Sequence, residues 1–492
     1  VAVPDGGAPA SLVETHSAVV FFVGDRAYKL KKPVDLGFLD FRTLEARRAV
    51  CHREVELNRR LAPDVYLGVA DVLDVDGAVC DHLVVMRRMP TELRLSSLVM
   101  QGAPVDDHLW HLAHLLAAFH ARSARLAAAD LAAGIPATRA RWRANTTEML
   151  AMPVLGPSVT VVRRIQALAD RYLDGRAALF EERVAHGRAV DGHGDLLADD
   201  VFCLDDGPRV LDCIEFDDRL RLGDGLADAA FLAMDLERIG RPESAERFLA
   251  AYQEHAGDTW PASLAHHHVA YRAQVRAKVG AIRAAQGDEH APDEVRALLD
   301  LVTSHLEAGR VRLILVGGLP GTGKSRLAAG LGEELVATVL RSDEIRKEQA
   351  GLAVDAPAGA PFGAGLYTEA STTATYETVL DRARVALGRG ETVIVDASWI
   401  SADWRTRARA LAGDVSADLV ELRCDAPPEV AAQRLTKRLT RGGDPSDATP
   451  EIAAAMAAID APWPEATTVT TTRSKPEALA DALAVVRAPA RL

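Results

Sequence analysis

Gly318-Leu-Pro-Gly-Thr-Gly323-Lys324-Ser325 follows directly on the apolar run Leu313-Ile-Leu-Val316, a spacing suited to holding a nucleotide polyphosphate. Gly318, Gly321 and Gly323, with Thr322 in the same loop, let successive backbone N–H groups curl around phosphate oxygens. Lys324 reaches the β and γ oxygens, and the Ser325 hydroxyl completes a Mg²⁺ shell. The motif needs a strand before it and a helix after it, and residues 326–335 read as that helix. A second apolar run, Thr392-Val-Ile-Val395, ends in Asp396, where a carboxylate holds Mg²⁺ through water. ATP and Mg²⁺ are therefore the expected cofactors.

Other groups of residues suit chemistry too. His193-Gly194-Asp195 sets an acid in a turn, Asp200 follows just before an apolar strand, and Leu211-Asp-Cys-Ile214-Glu215-Phe216 adds further acids. Arg434, Lys437, Arg438 and Arg441 fall at i, i+3, i+4 and i+7, one cationic face of a helix that stops at Gly442-Gly443; a solvated basic face has the same pattern. Arg272, Arg276 and Arg283 lie within about 40° of one another on a helix turning about 100° per residue, which suits an anionic ligand or equally a solvated or interface face. His266-His267-His268 has no partner at metal spacing and is expected at the surface. The five cysteines lack metal-ligand spacing and read as reduced, buried thiols.

The elements that must position these groups exceed one core, and 492 residues predict two or three domains. Residues 16–32 read as two short strands around Gly24-Asp25-Arg26, 43–61 as a helix ended by Pro63-Asp64, 65–90 as more strands, and 106–133 as continuous helix. A helix over 163–186 precedes turns and short strands over 190–216, and helices continue to about 307. From 309 onward strand alternates with helix at 311–316, 324–335, 337–341, 370–388, 391–396, 403–412, 418–424 and 428–441. That alternation implies a mostly parallel, doubly wound sheet whose ligand sits beyond the strands' carboxyl ends. The expected domains are a strand lobe at 1–95, a helical lobe at 96–307 and an α/β domain at 308–492. Residues 351–366, rich in Gly, Ala and Pro, read as a mobile loop.

A net charge of −13 argues against a general polyanion-binding surface, and 5% aromatic residues give few platforms for stacking bases, so nucleic acid is not the expected partner. No apolar run approaches a membrane span and no signal pattern opens the sequence, which predicts a cytoplasmic location. The sequence leaves the oligomeric state open.

Residues from about 16 to 290 resemble the aminoglycoside phosphotransferase family, small-molecule kinases with a protein-kinase-like fold, through His193-Gly194-Asp195, the acid at 200 and Glu215-Phe216. The resemblance implies an α+β, two-lobed N-terminal part. In it Asp195 is the catalytic base, Asp200 binds Mg²⁺ where the family has Asn, and Glu215 binds at the second metal position where the family has Asp. Asp212 and Asp217 are alternative ligands by sequence proximity. A lysine on the α/β phosphates fixed by a helix glutamate is also implied. Lys29 and Glu54 take those places, with Lys31 pointing the same way along the strand as the alternative. Glu14-Thr-His-Ser-Ala18 stands where a glycine-rich loop would lie. Asp228 resembles the family's structural aspartate, and Arg272 and Arg276 sit on a late helix of the kind that borders the acceptor.

Residues from about 309 to 475 resemble the P-loop kinases grouped with gluconate kinases, polynucleotide 5′-kinases and zeta toxins, which implies an α/β doubly wound P-loop domain. By that resemblance Asp343, in Arg341-Ser-Asp343-Glu-Ile-Arg346, is the base for the acceptor hydroxyl and Arg346 binds the acceptor. Arg438, then Arg434, belong to a lid that stabilises charge on the transferring phosphoryl group. Together the halves resemble bacterial fusions of the two kinds. The implied function is an ATP-dependent phosphotransferase acting on small-molecule hydroxyl acceptors, with two potential nucleotide sites. Two other readings stay open: an N-terminal pseudokinase that binds a metabolite and regulates a C-terminal ATPase or kinase, and a C-terminal nucleic-acid 5′-kinase.

Overall fold

The computed structural model describes residues 11–489 apart from 16, 36–38, 354–355, 357–364, 442–445 and 447; the side chains of 157 and 439–441 also lie outside the described set. Most of the loop expected at 351–366, the Gly442-Gly443 stop and the Arg441 side chain therefore fall outside the described residues. The chain divides into two compact units, Val1–Val159, Glu181–Trp260 and His268–Val302 in the first, and Thr160–Phe180, Pro261–His267 and Thr303–Leu492 in the second.

The first unit opens with β1 (Ser11–Glu14), β2 (Ala18–Val23), β3 (Arg26–Lys31), β4 (Tyr66–Leu73) and β5 (Val79–Arg87), an antiparallel sheet in the order β1-β2-β3-β5-β4. Gly24, at φ 57°, supplies the left-handed position of the turn between β2 and β3. Lys29 pairs with Val20 on one side and Val84 on the other, so it sits mid-sheet, and the two-residue side-chain period sends Lys31 to the same face. Helix Leu44–Asn58 starts where the Thr43 hydroxyl accepts the Ala46 N–H. It buries Cys51 and Val55 against Ala27, Tyr66, Val84 and Met86 of the sheet, and this packing fixes Glu54 on the inward face.

Beyond the sheet, helices surround two short ribbons, β6 (Ala189–Asp191) with β9 (Leu222–Asp224), and β7 (Val201–Leu204) with β8 (Gly207–Val210). The helix expected over 106–133 is two, Asp106–Ala121 and Ala127–Ala133. Between them the Ser123 hydroxyl accepts the Asp191 N–H, a bond to β6 that apolar periodicity does not encode. The histidine run is a second correction, because His267 and His268 are buried and His266 is half-buried. His267 is buried and stacks on Tyr172 at 4.5 Å, His266 Nδ1 lies 2.8 Å from His305 Nδ1, and burial pushes His268 down to about 4.

In the second unit β10 (Arg312–Gly317), β11 (Thr338–Arg341), β12 (Val393–Asp396), β13 (Asp418–Asp425) and β14 (Thr467–Thr470) form one parallel sheet, ordered β11-β12-β10-β13-β14. β10 is buried at every position, as a central parallel strand with both faces covered must be. The segment at 160–180 belongs here through Arg176. Fully buried, Arg176 donates to the carbonyls of Leu387 and Val415, at the ends of helices Glu369–Gly388 and Ala402–Asp414, where the helix dipoles are negative. A piece cut at residue 308 would lack this arginine, so the tests below use the full chain.

Candidate active sites

In the first unit Lys29 Nζ lies 2.9 Å from Glu54 Oε1 and 2.6 Å from Asp212 Oδ1. Burial works against the Lys29 charge, but Asp212 and Glu54 outweigh it and raise its pKa well above the ordinary value. Lys29 in turn is the main cause that holds Asp212 down at about 2. Asp212 has a left-handed backbone, φ 64°, and its N–H donates to the Tyr66 hydroxyl at 3.1 Å, which pins this strained position.

Asp200 is pushed well above the carboxylate range by burial and by the charges of Asp212, Asp195 and Asp199. Asp195 is 36% exposed at its side chain; partial loss of solvent raises it, and Arg276, 4.0 Å away, opposes that rise. Asp200 thus feels the charges of both Asp195 and Asp212, and Asp212 is the one of the three acids that meets Lys29 directly. Glu215 meets Lys31 at 2.5 Å and adds its charge to those that act on Lys29, and Asp217 caps a short turn by accepting the Arg219 N–H. The sequence does carry a signal for Asp212, an acid closing the apolar run Val210-Leu211, but Glu215 beside Phe216 competes with it.

Asp228 holds the loop that carries Asp195. It accepts the N–H groups of His193 and Gly194, both at 2.8 Å, and His120 Nε2 lies 3.0 Å from it. A Cβ on Gly192 would come within 2.6 Å of the Asp228 carboxylate, so the close approach requires glycine there. Arg272 donates to Ala227 O and Gly194 O and lies over Phe231, bracing the same loop, whereas Arg283 is paired with Asp288 and Glu294. Burial opposes the Asp228 charge, but the bond from His120 and the nearby cations outweigh it and keep Asp228 below the ordinary range. Asp228→Ala is expected to cost about 2–5 kcal/mol by orphaning two buried N–H groups and His120. A depressed folded-state pKa gives stability that is complete above the unfolded value of about 4 and fades as pH falls through the folded value. The difference in melting temperature between parent and variant should therefore be full at neutral pH and shrink only below about pH 4.

In the second unit a cleft of about 1190 Å³ opens over the ends of the parallel strands, lined by Gly321, Lys324, Ser325, Asp343, Arg346 and Asp396 among others. Gly318, Gly321 and Gly323 have φ of 129°, 81° and 95°, and a Cβ on Gly321 would strike the Ala431 carbonyl at 2.6 Å. The Thr322 hydroxyl donates to Leu319 O at 2.7 Å and shapes the loop, and Lys324 Nζ donates to the same carbonyl at 3.1 Å. Burial raises the Asp396 pKa, opposed by Lys324, by a hydrogen bond with Ser325 and by Arg341. Asp343 and Arg346 are joined at 2.8 Å, with the Arg346 guanidinium 4.8 Å over the Tyr367 ring. Arg434 donates to Thr471 Oγ1 at 3.1 Å and Thr471 O at 2.7 Å, and Arg438 to Ala448 O at 3.1 Å; both line the cleft. Sequence reasoning missed the aromatic wall of this cleft, Trp404 stacked on Tyr376 at 5.0 Å with Arg407 4.5 Å from the indole, because the residues are too sparse to form a pattern.

A sequence profile of the phosphotransferase enzyme family matches residues 16–266, just over half of the chain. The chain belongs to that family. A second profile, an AAA domain, matches residues 313–462, across the P-loop cleft. The two matches make this phosphotransferase ATP-dependent, a kinase-like unit joined to a P-loop kinase unit. An uncharacterized protein of Mycobacterium tuberculosis H37Rv is 46% identical over 451 residues, 92% of this chain and 90% of the relative, and an uncharacterized protein of Mycobacterium bovis matches equally. Among solved structures, a choline/ethanolamine kinase family protein from Mesorhizobium loti is similar at TM-score 0.41 and 15% identity, covering 62% of this phosphotransferase and 90% of that chain. The Mycobacterium tuberculosis APS kinase CysC, in complex with AMPPNP and APS, is similar at TM-score 0.28 and 23% identity over 36% and 99% of the two chains. Among the described residues no helix of the phosphotransferase is long and apolar enough to cross a membrane.

Proposed function

We infer that this phosphotransferase moves the γ-phosphate of ATP onto hydroxyl groups of small molecules at two separate sites, one in each unit. The observation that carries the reading for the first unit is the assembled contact of Lys29 with Glu54 and Asp212, next to Asp195 and Asp200. Lys29 would hold the α/β phosphates and Glu54 would fix Lys29. Mg²⁺ fits both sites. Asp200 and Asp212 repel each other as bare acids, and the buried Asp396 is bonded to Ser325. Among the described residues no three acids, histidines or cysteines gather as a ready metal cluster, in keeping with a metal held by one or two protein ligands and phosphate oxygens. When bound, the ion would neutralise phosphate charge.

Asp195 takes the proton of the acceptor hydroxyl as its oxygen attacks the γ-phosphorus and ADP leaves, and Arg276 beside it favours an acceptor that carries an anionic group. In the second unit Asp343 is the base, Arg346 holds both Asp343 and the acceptor, and Arg438 and Arg434 line the path of the phosphoryl group. Asp343→Asn should lower transfer by about 10²–10⁴-fold and leave ATP affinity unchanged, since the base acts on the acceptor only. Calorimetry with ATP beside a transfer assay checks this, and loss of nucleotide binding would assign Asp343 a different role. The acceptors are to be found by screening hydroxyl metabolites with γ-labelled ATP and the full chain, with Lys324→Ala and Asp195→Asn variants to assign each product to its site. Transfer that survives in both variants together would contradict the reading.

A further inference from the structure

Lys31 is 1% exposed, and its Nζ lies 2.6 Å from Glu54 Oε2 and 2.5 Å from Glu215 Oε1. Lys29 holds the other oxygen of the same Glu54 carboxylate and reaches on to Asp212. Five side chains therefore run in alternating charge, Asp212, Lys29, Glu54, Lys31, Glu215, with Glu54 fully buried at the centre. A buried lysine is costly unless it is paired, so a second one on the same face of β3 needs a reason. The geometry supplies one. With Lys29 as its sole partner, Glu54 would direct its whole charge at the ammonium that must be given to phosphate. Lys31 sits as an ion pair 2.6 Å from the second oxygen, offsets part of the Glu54 charge, and leaves Lys29 part of its own charge to offer.

We propose that Lys31 and Glu215 are a positioning pair of the first unit's nucleotide site: Lys31 partly neutralises Glu54 so that Lys29 can turn from Asp212 to a phosphate, and Glu215 balances Lys31 and is not a metal ligand. The proposal rests on the reading that this unit binds Mg·ATP. It assigns the metal to Asp200 and Asp212 and gives the two lysines different duties, although their sequence positions are equivalent. Lys31→Met leaves three acids facing one lysine, a more negative site for incoming phosphates. Adding Glu215→Gln returns the balance of acids and bases to that of the parent.

The test is Mg·ATP affinity of the full chain carrying Lys324→Ala, which silences the P-loop, measured by calorimetry over a range of Mg²⁺ concentrations with melting curves for each variant. Lys31→Met should weaken binding about tenfold, the scale of one lost charge-assisted contact, and Glu215→Gln in the same chain should restore most of it. Glu215→Gln alone should leave the Mg²⁺ dependence of binding where it was, whereas Asp212→Asn should shift it upward about tenfold. If Lys31→Met does not fold, the comparison of Glu215→Gln with Asp212→Asn decides by itself. A Mg²⁺ requirement raised by Glu215→Gln as much as by Asp212→Asn, or a folded Lys31→Met that binds like the parent, would overturn the pair while leaving the nucleotide site standing. No Mg·ATP binding by the Lys324→Ala parent would instead overturn the nucleotide reading of this unit, and the pair's role with it.

Discussion

Lys324→Ala is expected to remove ATP binding at the C-terminal cleft and to leave the folded chain intact. The lysine ends a loop whose three glycines all have positive φ, and its ammonium donates to the Leu319 carbonyl at 3.1 Å. Its loss takes nothing from the apolar core beneath, which is built by Ile314, Val316, Leu327, Leu331 and Ile394. What disappears is a point charge facing two phosphates in a partly enclosed cleft. Truncating one partner of such a pair costs about 2–5 kcal/mol, a loss of roughly 30-fold or more in affinity. Calorimetric titration of ATP with the melting curve of the same sample separates the two effects. An unchanged affinity at this cleft would remove the P-loop from the account.

Asp195→Asn is expected to abolish transfer by the first unit and to spare its nucleotide affinity. The expected loss is about 10²–10⁴-fold in kcat, the usual worth of a positioned general base. The variant keeps the side chain's shape, and the loop that carries it is held from behind by Asp228 and braced by Arg272, so geometry survives. The pH profile provides an independent check. Partial burial raises the Asp195 pKa, so the ionised, base-competent form is lost at a pH above the ordinary carboxylate value of about 4. Activity should therefore be full at neutral pH and fall on the acid side from that higher point, and Arg276→Ala, which removes the opposing charge, should move the fall further up. A profile insensitive to Arg276→Ala would place the base elsewhere.

The parallel sheet was legible because its strands are apolar and its helices lie between them at regular spacing: β10 and β13 fall within a residue of the segments read from sequence. β14 was not, since Thr467-Thr-Val-Thr470 buries only Val469 and has no apolar pattern to detect. Helix Ser342–Gln349 escaped for a similar reason, with Ile345 its one apolar anchor in a charged segment. Helix Lys475–Val486 did carry a signal in its capping box, Ser474 with Glu477. In the first unit, Lys29 and Glu54 were indicated by the resemblance to the phosphotransferases, and strand periodicity left Lys31 as an equal alternative to Lys29. Which acid each lysine meets was not readable, because Lys29 reaches Asp212 and Lys31 reaches Glu215 across some 180 residues of chain. The surroundings of His267 and His266 are equally non-local, with Tyr172 stacked on the first and His305 against the second.

The central claim, a nucleotide site in each unit, is tested most directly by counting. Equilibrium dialysis of the full chain with a non-hydrolysable ATP analogue and Mg²⁺ should give two nucleotides bound per chain. Lys324→Ala and Lys29→Met should each retain one, and the double variant should retain none. One nucleotide bound by the parent and none by folded Lys324→Ala would contradict the account and leave the first unit without a nucleotide.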